Sequence, residues 1–184
     1  MSKYSYARAV SALEATPLGR LNRAFANYWL SLWEGDNLPL RAAFNPTRVR
    51  DLLPGIVILA ARPGESVHCR LAGTAIQMGL GIDITGKDWL AMTPDDQKST
   101  RLARIGQLLD GAASRNLREG FTTSGTPVCA EEVQFPFGDV AEDGTRMLIS
   151  HVAWRCGSPV KGSPRLRDAH HIATEFRPLP LVAA

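Results

Sequence analysis

Apolar positions along this chain switch between helical spacing and strand alternation, and the switches mark out its elements. Residues 1–17 are polar or small and read as a short helix ending at Thr16-Pro17. From Leu18 the pattern becomes regular: Leu21, Phe25, Tyr28, Trp29 and Leu32 recur on one face of a helix, Trp33 extends the stripe, and Gly35-Asp36-Asn37 stops it. A stripe this aromatic has to be covered, either by its own domain or by a second copy of the chain. Asn45-Pro46 is a cap followed by proline, starting a short helix with Val49, Leu52 and Leu53 on one side and Pro54-Gly55 at its end. Ile56 to Ala61 is a continuous apolar run, the mark of a buried strand. Pro63-Gly64-Glu65 turns it into a second strand, where Val67, Cys69 and Leu71 alternate with His68, Arg70 and Ala72.

Gly73 breaks that strand. Thr74, with Gln77 three positions on, has the spacing of a capping box, and a turn or two of helix is expected before Gly79 and Gly81. Asp83-Ile84-Thr85-Gly86 reads as a turn with positive φ at Gly86, and Trp89-Leu90 as a second short helix. Thr93-Pro94-Asp95-Asp96 opens a longer helix, with Leu102, Ile105, Leu108 and Leu109 as its buried stripe and an end near Asn116. Lys98, Arg101 and Arg104 fall off that stripe and read as a solvated face rather than an anion site. Three strands are expected next: 120–124, turned by Gly125-Thr126-Pro127; Val128 to Pro136; and Arg146 to Arg155, after an acidic loop from Gly138 to Gly144. Residues 157–169 have the Gly, Ser, Pro and Arg content of an exposed linker. The segment His171 to Val182 is apolar enough to dock as an extra strand or a swapped arm, though its two prolines argue against a central position. The whole is an α+β pattern: a helix, two strands, a helical insertion and three more strands.

Composition changes this picture little. In 184 residues, 45% hydrophobic and 21% charged, there is room for one ordinary globular domain with tails. No apolar run approaches the ~20 residues that span a bilayer, and the N-terminus lacks a signal-peptide core, so a cytoplasmic protein without membrane contact is expected. Cys69, Cys129 and Cys156 form no CxxC pair and read as reduced thiols. The net charge of +3 is mild and its basic residues are scattered, which gives no footprint for nucleic acid.

The chain also lacks the chemistry of the common enzymes. There is no GxSxG elbow, P-loop or HExxH, and Gly79-Leu80-Gly81 is too short for a dinucleotide fingerprint. Adjacent histidines such as His170 and His171 point to different sides, so with Glu175 they make a poor metal set. His68 and His151 sit in strands, where a structural role is expected rather than haem ligation. Glu131-Glu132 reads as a solvated strand start. No catalytic residue, cofactor or metal is expected.

The run Arg70-Leu71-Ala72-Gly73-Thr74, followed by Gly81-Ile82-Asp83-Ile84-Thr85-Gly86-Lys87, resembles the central signature of a bacterial family of single-domain PAS proteins, R-h-x-G-T and then G-x-D-h-T-G with h apolar. Trp29, Trp33, Leu38-Pro39, Phe44-Asn45-Pro46 and Leu52-Leu53-Pro54 fit the same family, over about residues 20 to 155. The resemblance implies a five-stranded antiparallel PAS-like sheet with short helices on one face. It divides the chain into an N-terminal helical flank (1–34), a PAS-like domain (35–156), and a linker with a C-terminal arm (157–184).

It also implies a non-catalytic sensory or regulatory module that senses a small molecule or docks a signalling partner, with a homodimer through the N-terminal helix. A pocket between sheet and helices would draw on Ile58, Cys69, Leu71, Ile76, Met78, Asp83, Trp89, Ile149 and His151, unless the same residues simply fill the core. Asp83 has two open roles there: bracing its turn through backbone N–H groups, or presenting a carboxylate to a ligand. Two other readings stay open. One is a small lyase or isomerase on a curved sheet, for which only His151 with Asp83 could form a dyad. The other is a dimeric adaptor without a ligand.

Overall fold

The computed structural model describes residues 3–121, 127–156 and 170–181. Helices α1 (Tyr6–Glu14) and α2 (Arg20–Leu30) precede the hairpin of β1 (Ile56–Arg62) and β2 (Ser66–Ala72). Then come α3 (Thr74–Leu80), α4 (Asp95–Leu109), β3 (Ala112–Phe121), β4 (Pro127–Val140), β5 (Arg146–Cys156) and β6 (His170–Pro180). All six strands form one antiparallel sheet in the order β2-β1-β5-β4-β3-β6. Each of the five expected strands has a counterpart, but the third runs over Ala112–Phe121 rather than 120–124 and the fourth continues to Val140, into the expected acidic loop. The C-terminal arm adds a sixth at the edge, where its prolines are tolerated. The expected linker 157–169 and most of the expected turn after β3 lie outside the described residues.

Strand alternation divides the sheet into two buried faces. On the outer face, Ile56, Ile58, Val133, Phe135 and Ile149 pack under α1 and α2. Trp29 stacks on Phe135 with ring centroids 4.5 Å apart, and Phe25 lies 5.9 Å from the same ring. Burying each of these aromatics contributes about 2–3 kcal/mol. The aromatic stripe that suggested a dimer contact is thus covered by the chain itself. It is also rotated by one position from the expected one: α2 buries Asn22, Phe25, Ala26 and Trp29, while Leu21 is exposed. On the inner face, Val57, Leu59, Val67, Cys69 and Leu148 pack against Ile76 of α3 and Ile105, Leu108 and Leu109 of α4.

Asn22 is buried because it meets Glu131 and His151. Its amide donates to the Glu131 backbone oxygen at 2.9 Å and to Glu131 Oε2 at 3.1 Å. The Gly19 N–H donates to the same carboxylate at 2.7 Å and Arg115 Nε to its other oxygen at 2.9 Å. Burial pushes the Glu131 carboxyl up, but the three donors to its carboxylate, Gly19 N–H, the Asn22 amide and Arg115, outweigh it and hold the group below its ordinary range. With both amide hydrogens committed, Asn22 Oδ1 must accept, so His151 carries its proton on Nδ1 and donates it over 2.6 Å. Burial then pushes the imidazole down to about 4.

Several local expectations are corrected. Helix α4 stops at Leu109, well before Asn116, because Gly111 takes φ 102° and sends the chain straight into β3. Thr74 is the first residue of α3 rather than its cap; Gly73 is the cap residue, with no side chain to bond, and Gln77 Nε2 donates to the Ala72 oxygen instead. Trp89-Leu90 forms no helix. The loop carrying it lies along the edge of β2, through Gly86 N to Cys69 O (2.7 Å), Cys69 N to Lys87 O (3.0 Å) and Trp89 N to Val67 O (2.7 Å). Cys129 is disulfide-bonded rather than reduced, and Cys156 stands opposite it in the β4–β5 register; Cys69 is a free, buried thiol.

Two glycines of the Arg70–Lys87 run are held in place by geometry. A Cβ on Gly73 would lie 2.3 Å from the Leu53 oxygen and 2.4 Å from the Pro54 oxygen, so no side chain fits there. Gly86 has open space around it but φ 79°. Gly86→Ala is therefore expected to lose about 1 kcal/mol of stability, and Gly73→Ala about 1–3 kcal/mol, read as shifts in urea midpoint.

His151 gives a pH signature. The folded imidazole titrates near 4 and the unfolded one near 6.5. Between those values the unfolded chain binds the proton first, so the contribution is complete above pH 6.5 and is lost as pH falls toward 4. Unfolding free energies of wild type and His151→Gln, which keeps a donor for Asn22, should diverge across that window by up to a few kcal/mol. Parallel curves would contradict the buried neutral histidine.

Candidate ligand cleft

Five polar or charged side chains project from the inner face of β3 and β4, where an apolar sheet would carry Val or Ile: Ser114, Asn116 and Arg118 on β3, and Glu132 and Gln134 on β4. Glu132 is only 1% exposed. A bare carboxylate so deep would be costly, and the neighbouring donors are what make it tolerable. Arg118 Nη2 donates to Glu132 Oε2 at 2.6 Å, Asn116 Nδ2 to the same oxygen at 3.2 Å, and Gln134 Nε2 to Oε1 at 3.2 Å. Since Gln134 must donate to the carboxylate, its oxygen is left to accept, and Ser114 Oγ and Asn116 Nδ2 both donate to it at 3.0 Å.

Above this cluster lies a cleft of about 300 Å³, walled by Gln97, Thr100, Arg101, Arg104 and Ile105 of α4 and floored by Leu59, Val67, Asn116, Arg118 and Gln134, with Trp89 at its side. Arg101 is held across it. Its Nη1 donates to Thr93 Oγ1 at 2.8 Å, that hydroxyl donates to the Trp89 oxygen at 2.7 Å, and the guanidinium lies 5.3 Å from the Trp89 ring centroid. Burial, followed by the charge of Arg118, draws the Arg101 guanidinium down to about 10, against the opposing pull of Glu132. Two of the three α4 cations expected to form a solvated face thus line the cleft. Lys98 instead pairs with Asp95 at 2.6 Å.

The nine residues singled out from the sequence do not converge. Ile58, Ile149 and His151 point to the outer face, beneath α2. Cys69 and Ile76 are packed in the inner core, and burial pushes the Cys69 thiol up. Leu71 and Met78 are 42% and 46% exposed. Asp83 is exposed at the β2 edge, where its Oδ1 accepts from Thr85 N at 2.8 Å, while Thr85 Oγ1 accepts from Ala72 N at 3.3 Å; the Thr85 N–H bond lowers the carboxyl's pKa. That is the bracing role. Trp89 alone of the nine lines the cleft. A His151–Asp83 dyad is not assembled, because His151 is buried beneath α2 while Asp83 is exposed at the β2 edge.

Glu131 and Glu132 are both buried rather than solvated, and as strand neighbours they face opposite ways. What sequence reading missed was the polar alternation Ser114, Asn116, Arg118. It was legible as a period of two, but helix-favouring neighbours masked it. Among the described residues no group of three His, Cys, Asp or Glu could hold a metal ion, and no helix is long and apolar enough to cross a membrane.

Comparison with known proteins places this geometry. A family model described as PAS domain matches residues 20–148. No curated protein matches the chain. Among solved structures, "Structure of an RNA-binding Light-Oxygen-Voltage Receptor" is similar at 15% identity and a TM-score of 0.39, covering 80% of this chain and 48% of that one. The chain therefore spans about half the length of that structure. With its family matched over most of its length, on an antiparallel sheet flanked by short helices, the chain belongs to the PAS domain family and is a sensory or regulatory module of that type.

Proposed function

We propose that the cleft between α4 and the inner sheet face is the input site of this module, that a small molecule binds there, and that the output is a non-covalent change at the flanking segments. The observation that supports this reading is the position of β3. Asn116 and Arg118 line the cleft from it, while its other edge pairs with the C-terminal arm from Ala112↔Pro180 to Phe121↔His170. The arm in turn meets the N-terminal flank, where Ser5 N donates to the Leu181 oxygen at 2.9 Å. A ligand that shifts β3 would act directly on the arm and, through it, on the flank.

The division into a flank (1–34), a sensing domain (35–156) and an arm (157–184) follows the same logic, with the middle part holding the cleft and the outer parts reporting on it. The bacterial single-domain PAS type is favoured by the Arg70–Lys87 run, in which Gly73, Asp83, Thr85 and Gly86 each have a geometric task. Among the described residues the surroundings of the cleft position no nucleophile or acid–base pair, which a sensor without catalysis accounts for. A homodimer through the flank would have to use the exposed side of α2, including Leu21, since the aromatic side is covered.

Native mass spectrometry of the full chain, purified without denaturant, tests both points through retained molecules and subunit count. A metabolite library screened by melting temperature is expected to yield at least one stabilising compound. Thr100→Trp, which fills the cleft from an exposed position on α4, is expected to lose that stabilisation. Hydrogen exchange on β3 and β6 should slow when the compound is bound. A library with no stabilising member, or equal stabilisation of the Thr100→Trp variant, overturns the reading.

A further inference from the structure

The chemistry of the cleft says what kind of molecule it takes. Arg101 and Arg118 stand at its wall and floor, with Glu132 the carboxylate paired to Arg118 beneath; Arg104, also on the wall, is already engaged in an interaction of its own. A partly enclosed site with surplus positive charge favours an anion, because low-dielectric walls strengthen its field. Two further polar atoms are buried without a partner among the described residues: Arg118 Nε and Asn116 Oδ1. Asn116 is only 4% exposed. Its orientation is set by the chain that runs from Glu132 through Gln134, which uses the Asn116 amide hydrogens and leaves its buried oxygen without a donor. The site therefore offers charged N–H donors to an anion and one fixed acceptor to a donor.

We propose that the cleft binds a small organic oxyanion, a carboxylate or a phosphate, that also carries a hydroxyl or N–H donor. The acidic group would meet Arg118 Nε and the guanidinium of Arg101, and the donor would meet Asn116 Oδ1. The volume, about 300 Å³, is at the lower end of ligand pockets and suits a metabolite rather than a large prosthetic group. Ile105, Leu59 and Val67 give a short carbon skeleton an apolar floor. Selectivity for the donor follows from the cost of leaving a buried acceptor unpaired. Macromolecular polyanions are disfavoured, because these cations sit inside a cleft and Lys98, outside it, is paired with Asp95.

This inference rests on the cleft being the input site, and the test separates the two. Full-length protein is titrated by calorimetry with L-malate and glycerol 3-phosphate, each an oxyanion with a hydroxyl, and with succinate and malamide as controls without the hydroxyl and without the charge. Binding of either oxyanion is expected, with succinate at least tenfold weaker than malate wherever malate is the one that binds, and with malamide silent. Arg101→Gln should weaken binding at least tenfold. Because that variant also loses the bond to Thr93, the arginine Nε–H resonances of the wild-type protein are followed in parallel, and the Arg118 signal should move on titration.

Carboxylate and phosphate sources are told apart by which of the two probes binds. Failure of both at millimolar concentration, or an Arg118 signal that stays still while one binds, overturns the oxyanion assignment. Malamide binding with movement of the Arg118 signal would overturn it too, while leaving the small-molecule input site standing.

Discussion

Strand β4 carries two carboxylates in succession, Glu131 and Glu132, and because a strand turns successive side chains to opposite faces, one is buried on each side of the sheet. Neither could be left there unpaired. Each has to be met by hydrogen-bonding partners, and the partners it recruits determine what lies on that side. On the outer face Glu131 draws in Gly19, Asn22 and Arg115, which fixes the entry of α2 and sets the rotation at which its aromatic residues meet the sheet. On the inner face Glu132 draws in Arg118, Asn116 and Gln134, and that keeps the face polar enough to hold a cleft where a fully apolar core would close. Replacing either carboxylate by an apolar residue of similar shape would strand its donors, so each network stands or falls as a unit.

Most of the architecture could be read from the residues because it rests on local rules. The β1–β2 hairpin, the start of α4 and the long regular β5 all follow from turn chemistry and alternation. Gly73 and Gly86 were identifiable as positions that tolerate no Cβ or need positive φ, though the reason for Gly73, the approach of the Leu53 and Pro54 oxygens, is a tertiary contact. Misreadings cluster where function is proposed to lie. β3 was partly taken for helix because Ala112, Ala113, Arg115, Leu117 and Glu119 favour helices, and because its inner face is polar where a buried strand is expected to be apolar. Arg101 and Arg104 were read as solvated because helical spacing alone does not reveal a facing polar sheet.

The pocket residues named from sequence show the same limit from another side. Ile58, Ile149 and His151 are strand residues whose alternation was correctly described, but which face looks toward α4 depends on the register between strands, and one position reverses it. Asn22 illustrates the converse: a polar residue within an apolar stripe is buried because of a carboxylate more than a hundred positions away.

The loop from Gly86 to Trp89 and the arm at β6 have a joint consequence for how copies of this protein can meet. An open sheet offers backbone N–H and C=O groups at both edges, and another strand can add to them. Here the β2 edge is occupied by the loop's own backbone bonds. The β6 edge includes Pro178 and Pro180, which have no N–H to offer. Growth by strand addition is thereby discouraged at the β2 edge and at the proline-bearing end of β6, which leaves side chains on the helical faces, open to tuning by single substitutions, as another surface where copies can meet.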